Sequence, residues 1–144
     1  MIEADTIKLL RECDAGVKMG VASIDQVLSE VKSAEMKQKL FHSREEHEKL
    51  GRELQSRLDR FGDRGKDPNP IAQGMSWLKT ETKLGFEHND KTIADLMTDG
   101  CGMGVKSLSR YLNQYGAADE PSKDMAKRLI HLEETLGQDL REYL

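Results

Sequence analysis

One phrase occurs twice in the chain. Gly16-x-x-Met19-Gly20-Val21-x-Ser23-Ile24-x-x-x-Leu28 returns as Gly100-x-x-Met103-Gly104-Val105-x-Ser107-Leu108-x-x-x-Leu112, at a constant offset of 84 (100 − 16 = 112 − 28 = 84). A second echo pairs LGRELQSRL from Leu50 with LGQDLREYL from Leu136, at an offset of 86 (136 − 50 = 86). Any two amphipathic helices can share leucines through periodicity alone, but matching glycines do not follow from it. The chain therefore reads as an internal repeat, and a fold for it has to be assembled from two similar halves.

Each half reads as a helical hairpin. Leu10, Val17, Ile24 and Val31 recur every seven residues, with Cys13, Val21 and Leu28 on the same face, which predicts a helix from an N-cap at Asp5 to Val31. Lys32 and Ser33 form a short turn, and Ser33 caps a second helix from Ala34 to Phe61, which Gly62 stops. The second half repeats the plan. A helix capped by Asp90 runs to Tyr115 through Ile93, Met97, Cys101, Leu108 and Leu112, and "GAADEPS" turns the chain into a last helix through Met125, Leu129, Leu136 and Leu140 to Leu144. Between the halves, "GDRGKDPNP" has the composition of a loop, and "IAQGMSWLKTETKLGF" predicts a shorter crossover helix with Ile71, Met75, Trp77 and Leu78 on its apolar face. Nothing resembles a strand pair. The expected architecture is all-α, a four-helix bundle in a single domain over 1–144, with hairpin 5–61, crossover 62–89 and hairpin 90–144. A helix of about 16 residues in the crossover covers roughly 24 Å, enough to run the length of such a bundle.

The glycines need an explanation. An interior glycine costs a helix about 1 kcal/mol relative to alanine. The first and third helices hold Gly16, Gly20, Gly100, Gly102 and Gly104, a burden comparable with the whole stability of a small domain. Small residues four apart let two helix backbones approach closely. The expectation is a close crossing of the first and third helices at Gly16, Gly20, Gly100 and Gly104, with Ser23 and Ser107 extending the stripe. Met19, Met97 and Met103 sit at core-like spacing.

Composition narrows the function classes. Charged residues make up 33% and the net charge is −4, with acids and bases interspersed, so no basic block offers a nucleic-acid surface. No apolar run approaches the roughly 18 residues that span a bilayer. The acidic beginning lacks the apolar core of an export signal, so the expected location is the cytoplasm. Cys13 and Cys101 lack C-x-x-C spacing and read as buried, reduced cysteines.

The two-hairpin plan with its long crossover resembles ferritin-like proteins. "GVKMGVASI", "GCGMGVKSLSRYLNQY" and the crossover resemble, more narrowly, a group of small bacterial ferritin-like proteins that lack the usual di-iron ligands. The family's di-metal site takes a Glu from each of two helices and Glu-x-x-His from each of the other two. Here Arg44 stands three before His47 and Arg128 three before His131, and a guanidinium is hostile to a cation. The resemblance therefore implies a non-enzymatic structural or interaction protein, with no cofactor and no catalytic residues. It also implies dimerisation through bundle faces, and no motif names another protein partner. The alternative is a divergent metal-binding or oxidative-stress protein holding iron or manganese through Asp14, His47, Asp99 and His131, all near mid-helix. At the 84-residue offset the two R-x-x-H motifs align. At the 86-residue offset His47 aligns instead with Glu133, and the histidines read as bundle-flank residues with local partners such as Glu46 and Glu134.

Overall fold

The computed structural model describes residues 2–68 and 89–144. Among these residues there are four α-helices and no strand: α1 (Ile2–Leu28), α2 (Ala34–Arg60), α3 (Asp90–Gln114) and α4 (Glu120–Leu140), followed by a 3-10 turn (Arg141–Tyr143). The expected crossover helix lies outside the described residues.

Local chemistry accounts for most helix ends. The Ser33 hydroxyl accepts from the Met36 N–H at 3.2 Å, as expected for an N-cap. Arg57 and Arg60 sit in the last turn of α2, where cations complement the helix dipole, and Gly62 follows at φ +68, the left-handed conformation that ends a helix. Asp119 caps α4, its carboxylate accepting from Ser122 N–H, with Pro121 in the first turn.

Two expected caps do other work. Helix α1 already begins at Ile2, so Asp5 is inside it, and its carboxylate accepts from the backbone N–H of Ala117 at 3.1 Å. Helix α3 is capped by Asn89, whose side chain accepts from Thr92 N–H, while Asp90 accepts from the N–H groups of Lys32 and Ser33 at 2.8 and 2.9 Å. Each of these acids satisfies the turn of the opposite hairpin, a role that spacing along one helix does not reveal. Helix α1 also stops at Leu28 rather than Val31, although Val31 remains buried.

These links orient the bundle. The start of α3 lies beside the end of α1, and the start of α4 lies beside the start of α1 through Ala117 with Asp5 and Asp119 with Thr6. Helices α1 and α4 therefore run one way, α2 and α3 the other. The end of α2 is held at the first half of α1, where Asp63 meets Arg11 and Lys66 meets Glu12. The connection from α2 to α3 thus joins opposite ends of the bundle. The most extensive helix contacts lie within each hairpin. There Gly51 of α2 sits against Val17 and Gly137 of α4 against Cys101.

The apolar interior is in two parts. One cluster includes Ile24, Val27, Met36, Leu40, Ile93, Leu136 and Leu140. The other includes Leu9, Leu10, Leu50, Leu54, Leu58, Leu108 and Leu129. Along every helix the residue numbers leave a gap between the two clusters, around Gly20, His47, Gly104 and Glu133. That gap is the polar waist of the bundle.

Candidate functional site: a cleft between α1 and α3

The small residues of α1 and α3 do not close on each other. Gly16, Gly20 and Ser23 from α1 and Gly100, Gly104 and Ser107 from α3 all line one cleft, with a cavity volume of about 160 Å³. The neighbours of the glycines come from the other two helices. A Cβ on Gly16 would lie 3.2 Å from a Leu129 methyl, one on Gly20 2.7 Å from the His47 ring, and one on Gly104 3.4 Å from the Glu133 carboxylate. Nothing among the described residues lies within 4 Å of a Cβ built on Gly100. The nearest neighbours of Gly16, Gly20 and Gly104 are thus side chains of α2 and α4 rather than the facing helix. Their missing side chains admit the His47 ring and the Glu133 carboxylate and leave the remaining space open among the described residues.

His47 and Glu133 form the polar floor. His47 is fully buried, and its Nε2 stands 3.0 Å from Glu133 Oε1 across the bundle. Its Nδ1–H donates to the Ser43 carbonyl one turn earlier at 2.7 Å. A carbonyl oxygen can only accept, so Nδ1 carries a proton in either charge state. An imidazole nitrogen and a carboxylate oxygen at 3.0 Å share a proton, so with His47 protonated the contact is an imidazolium–carboxylate pair. Burial pulls the His47 pKa down, but the hydrogen bond and charge of Glu133, together with the Ser43 carbonyl, outweigh it and leave the pKa above the usual imidazole value.

Cys101 also faces this floor. Burial, the Glu133 charge and a thiol hydrogen bond to Glu133 all push its pKa up, so it stays a thiol. Cys13, at the other end, is pushed up to about 12 by burial and by Glu12 and Asp14. Neither is an activated nucleophile. Around the polar floor the cleft is apolar, with Ile24, Met97 and Leu136 towards one core cluster and Leu108 and Leu129 towards the other. Met19 and Met103 are at its rim; Met103 is 60% exposed, which corrects its expected place in the core.

The four residues of the alternative metal site do not assemble. Asp14 is buried elsewhere, paired with Lys18 at 2.8 Å and accepting from Lys66 N–H. Asp99 and His131 are exposed, and both ring nitrogens of His47 are engaged. Among the described residues no group of three or more His, Cys, Asp or Glu side chains could hold a metal. The arginines of the R-x-x-H motifs bind surface carboxylates, Arg44 with Asp25 and Glu48, Arg128 with Glu53. The donor set therefore does not fit a di-iron or di-manganese centre. His47 is also no flank residue with a local acid: its partner, Glu133, is 86 residues away.

No family model, curated protein or solved structure matches the chain. Its chemistry is therefore read from the cleft itself. Glu133 is the residue that sequence reasoning missed, and the signal was present. His47 and Glu133 occupy the same place in the 86-residue register, and equivalent positions on α2 and α4 meet across the middle of the bundle. No helix of the described residues is long and apolar enough to cross a membrane.

Proposed function

We propose that the chain is a non-enzymatic binding protein on a ferritin-like bundle without a di-iron centre, and that its cleft between α1 and α3 takes a small, largely apolar molecule. The single observation that carries this is the position of the small-residue stripe: the six small residues of α1 and α3 all line one cavity, open among the described residues. Gly100 is the sharpest case, since a Cβ there would meet nothing within 4 Å among the described residues, yet glycine costs α3 about 1 kcal/mol. Ligand pockets are typically apolar with a few convergent polar groups, and the His47–Glu133 floor supplies them. The ferritin-like part draws support from two antiparallel hairpins whose connection joins opposite ends of the bundle, and from contacts such as Gly51–Val17 and Gly137–Cys101 that follow the repeat (51 + 86 = 137, 17 + 84 = 101). The resemblance adds association with a second copy, which light scattering of the purified protein checks.

Benzene is the direct probe. An apolar cavity of about 150 Å³ is large enough to bind it. Backbone amide NMR shifts should move saturably at residues 15–24 and 97–108 on benzene addition, and Gly100→Leu, which fills the cleft, should abolish the shifts. Unchanged spectra at saturating benzene would remove the ligand reading.

A further inference from the structure

Building on the cleft as a ligand site, we propose that its occupant is a small amine: a single-ring apolar body bearing one ammonium, which replaces the His47 proton as the cation held by Glu133.

The charges of the lining favour a cation. Among the described residues its ionisable acid and base side chains are Glu12, Glu133 and His47, with no lysine or arginine. Among the described lining residues an anionic ligand would meet two carboxylates and no fixed cation except an imidazolium that is already paired. Glu12, on α1, is engaged by Lys66, and Tyr111 of α3 hydrogen-bonds to it. Glu133 is different: its side chain is only 12% exposed, and among the described residues only His47 and the Cys101 thiol hydrogen-bond to it. A carboxylate has about four acceptor sites, so capacity remains on the face turned to the cleft.

The proton balance makes an amine acceptable in a buried place. The floor of the free cleft holds one positive and one negative charge, imidazolium and carboxylate. When an ammonium donates its N–H to Glu133, His47 gives its Nε2 proton to solvent and keeps Nδ1–H on the Ser43 carbonyl. The bare Nε2 then becomes a second acceptor for the ammonium. The waist again holds one positive and one negative charge, so the ligand brings its charge without adding one. Around His47 the groups that face this exchange are Glu133 from α4 and the neutral Cys101 from α3, with Gly20 from α1 adding no charge. Size and surface agree. A cavity of about 160 Å³ accommodates one aromatic ring with a short chain, and Met19, Met97 and Met103 offer sulfur–aromatic contacts.

The test compares 2-phenylethylamine with its neutral isostere 2-phenylethanol by titration calorimetry on the full chain. It is run at about pH 6, below the usual imidazole pKa of about 6.5, in two buffers of different ionisation enthalpy. The amine should bind about tenfold tighter or better, the effect of one charge-assisted hydrogen bond, and its heat should depend on buffer because a proton is released. Glu133→Gln should reduce the amine to the affinity of the alcohol. Equal affinities with buffer-independent heats would overturn the amine proposal and leave the cleft a ligand site. Binding of neither compound to folded protein would overturn both. If Glu133→Gln does not fold, the amine-to-alcohol ratio of the unaltered protein still decides.

Discussion

At either end of the bundle, leucines from α2 and α4 fill the space between the helices: Leu50, Leu54, Leu58 and Leu129 in one cluster, Leu40, Leu136 and Leu140 in the other. At the waist between them the corresponding positions carry Gly20, His47, Gly104 and Glu133. The ends are held by area removed from water, which needs no particular geometry. The waist is held by one buried pair with defined bond lengths, and beside it lies open space. Stability and the proposed binding thus draw on different levels of one bundle, which can be disturbed separately.

The ends should be the more sensitive to truncation. Leu54 is fully buried, and Leu54→Ala should cost about 3 kcal/mol in urea unfolding, with benzene binding retained wherever the protein stays folded. A loss under 1 kcal/mol would mean the ends are not the principal support. At the waist, Glu133→Gln should cost about 2 kcal/mol at pH 6, the usual worth of a hydrogen bond to a charged group. The sign of its pH dependence follows from His47. A folded-state pKa above the unfolded value near 6.5 gives stability that is complete below that value and is lost as pH rises through the folded pKa. Unfolding curves should therefore show the native protein losing stability above about pH 6.5, with Glu133→Gln much flatter over the same range. Equal slopes would place the proton elsewhere.

Two glycine substitutions sharpen the contrast further. Gly20→Ala drives a methyl to 2.7 Å from an imidazole ring fixed on both sides, so overpacking should outweigh the gain in helix propensity, a net loss of about 1 kcal/mol. Gly100→Ala meets nothing among the described residues and should stabilise by slightly less than 1 kcal/mol while weakening benzene binding. The same chemical change should thus have opposite signs two faces of one cleft apart. Matching signs in thermal unfolding would dissolve the distinction between a filled and an open side.

Much of this bundle was legible in the sequence. Seven-residue spacing marked the helices because burial on one face is a local property of each, and Ser33 announced α2 through a hydrogen bond three residues long. What escaped was convergence between helices. Asp5 and Asp90 looked like caps because their neighbours along the chain suit a cap, yet their acceptors serve N–H groups more than 50 residues away. The glycine stripe has the same ambiguity: an absent side chain permits a close helix or an open cleft, and only the positions of His47 and Glu133 decide between them. The register that aligns those two residues was visible, but not that they touch.

The exchange of caps between the hairpins governs how the molecule comes apart. Asp90 of the second hairpin finishes the turn of the first, while Asp5 and Thr6 of the first finish the turn of the second. Neither half carries everything its own bend requires. Unravelling one hairpin strips backbone partners from the other, so the intermediate with half the bundle intact loses on both sides. Heat or denaturant should then meet one cooperative transition rather than two successive meltings, however alike the halves look.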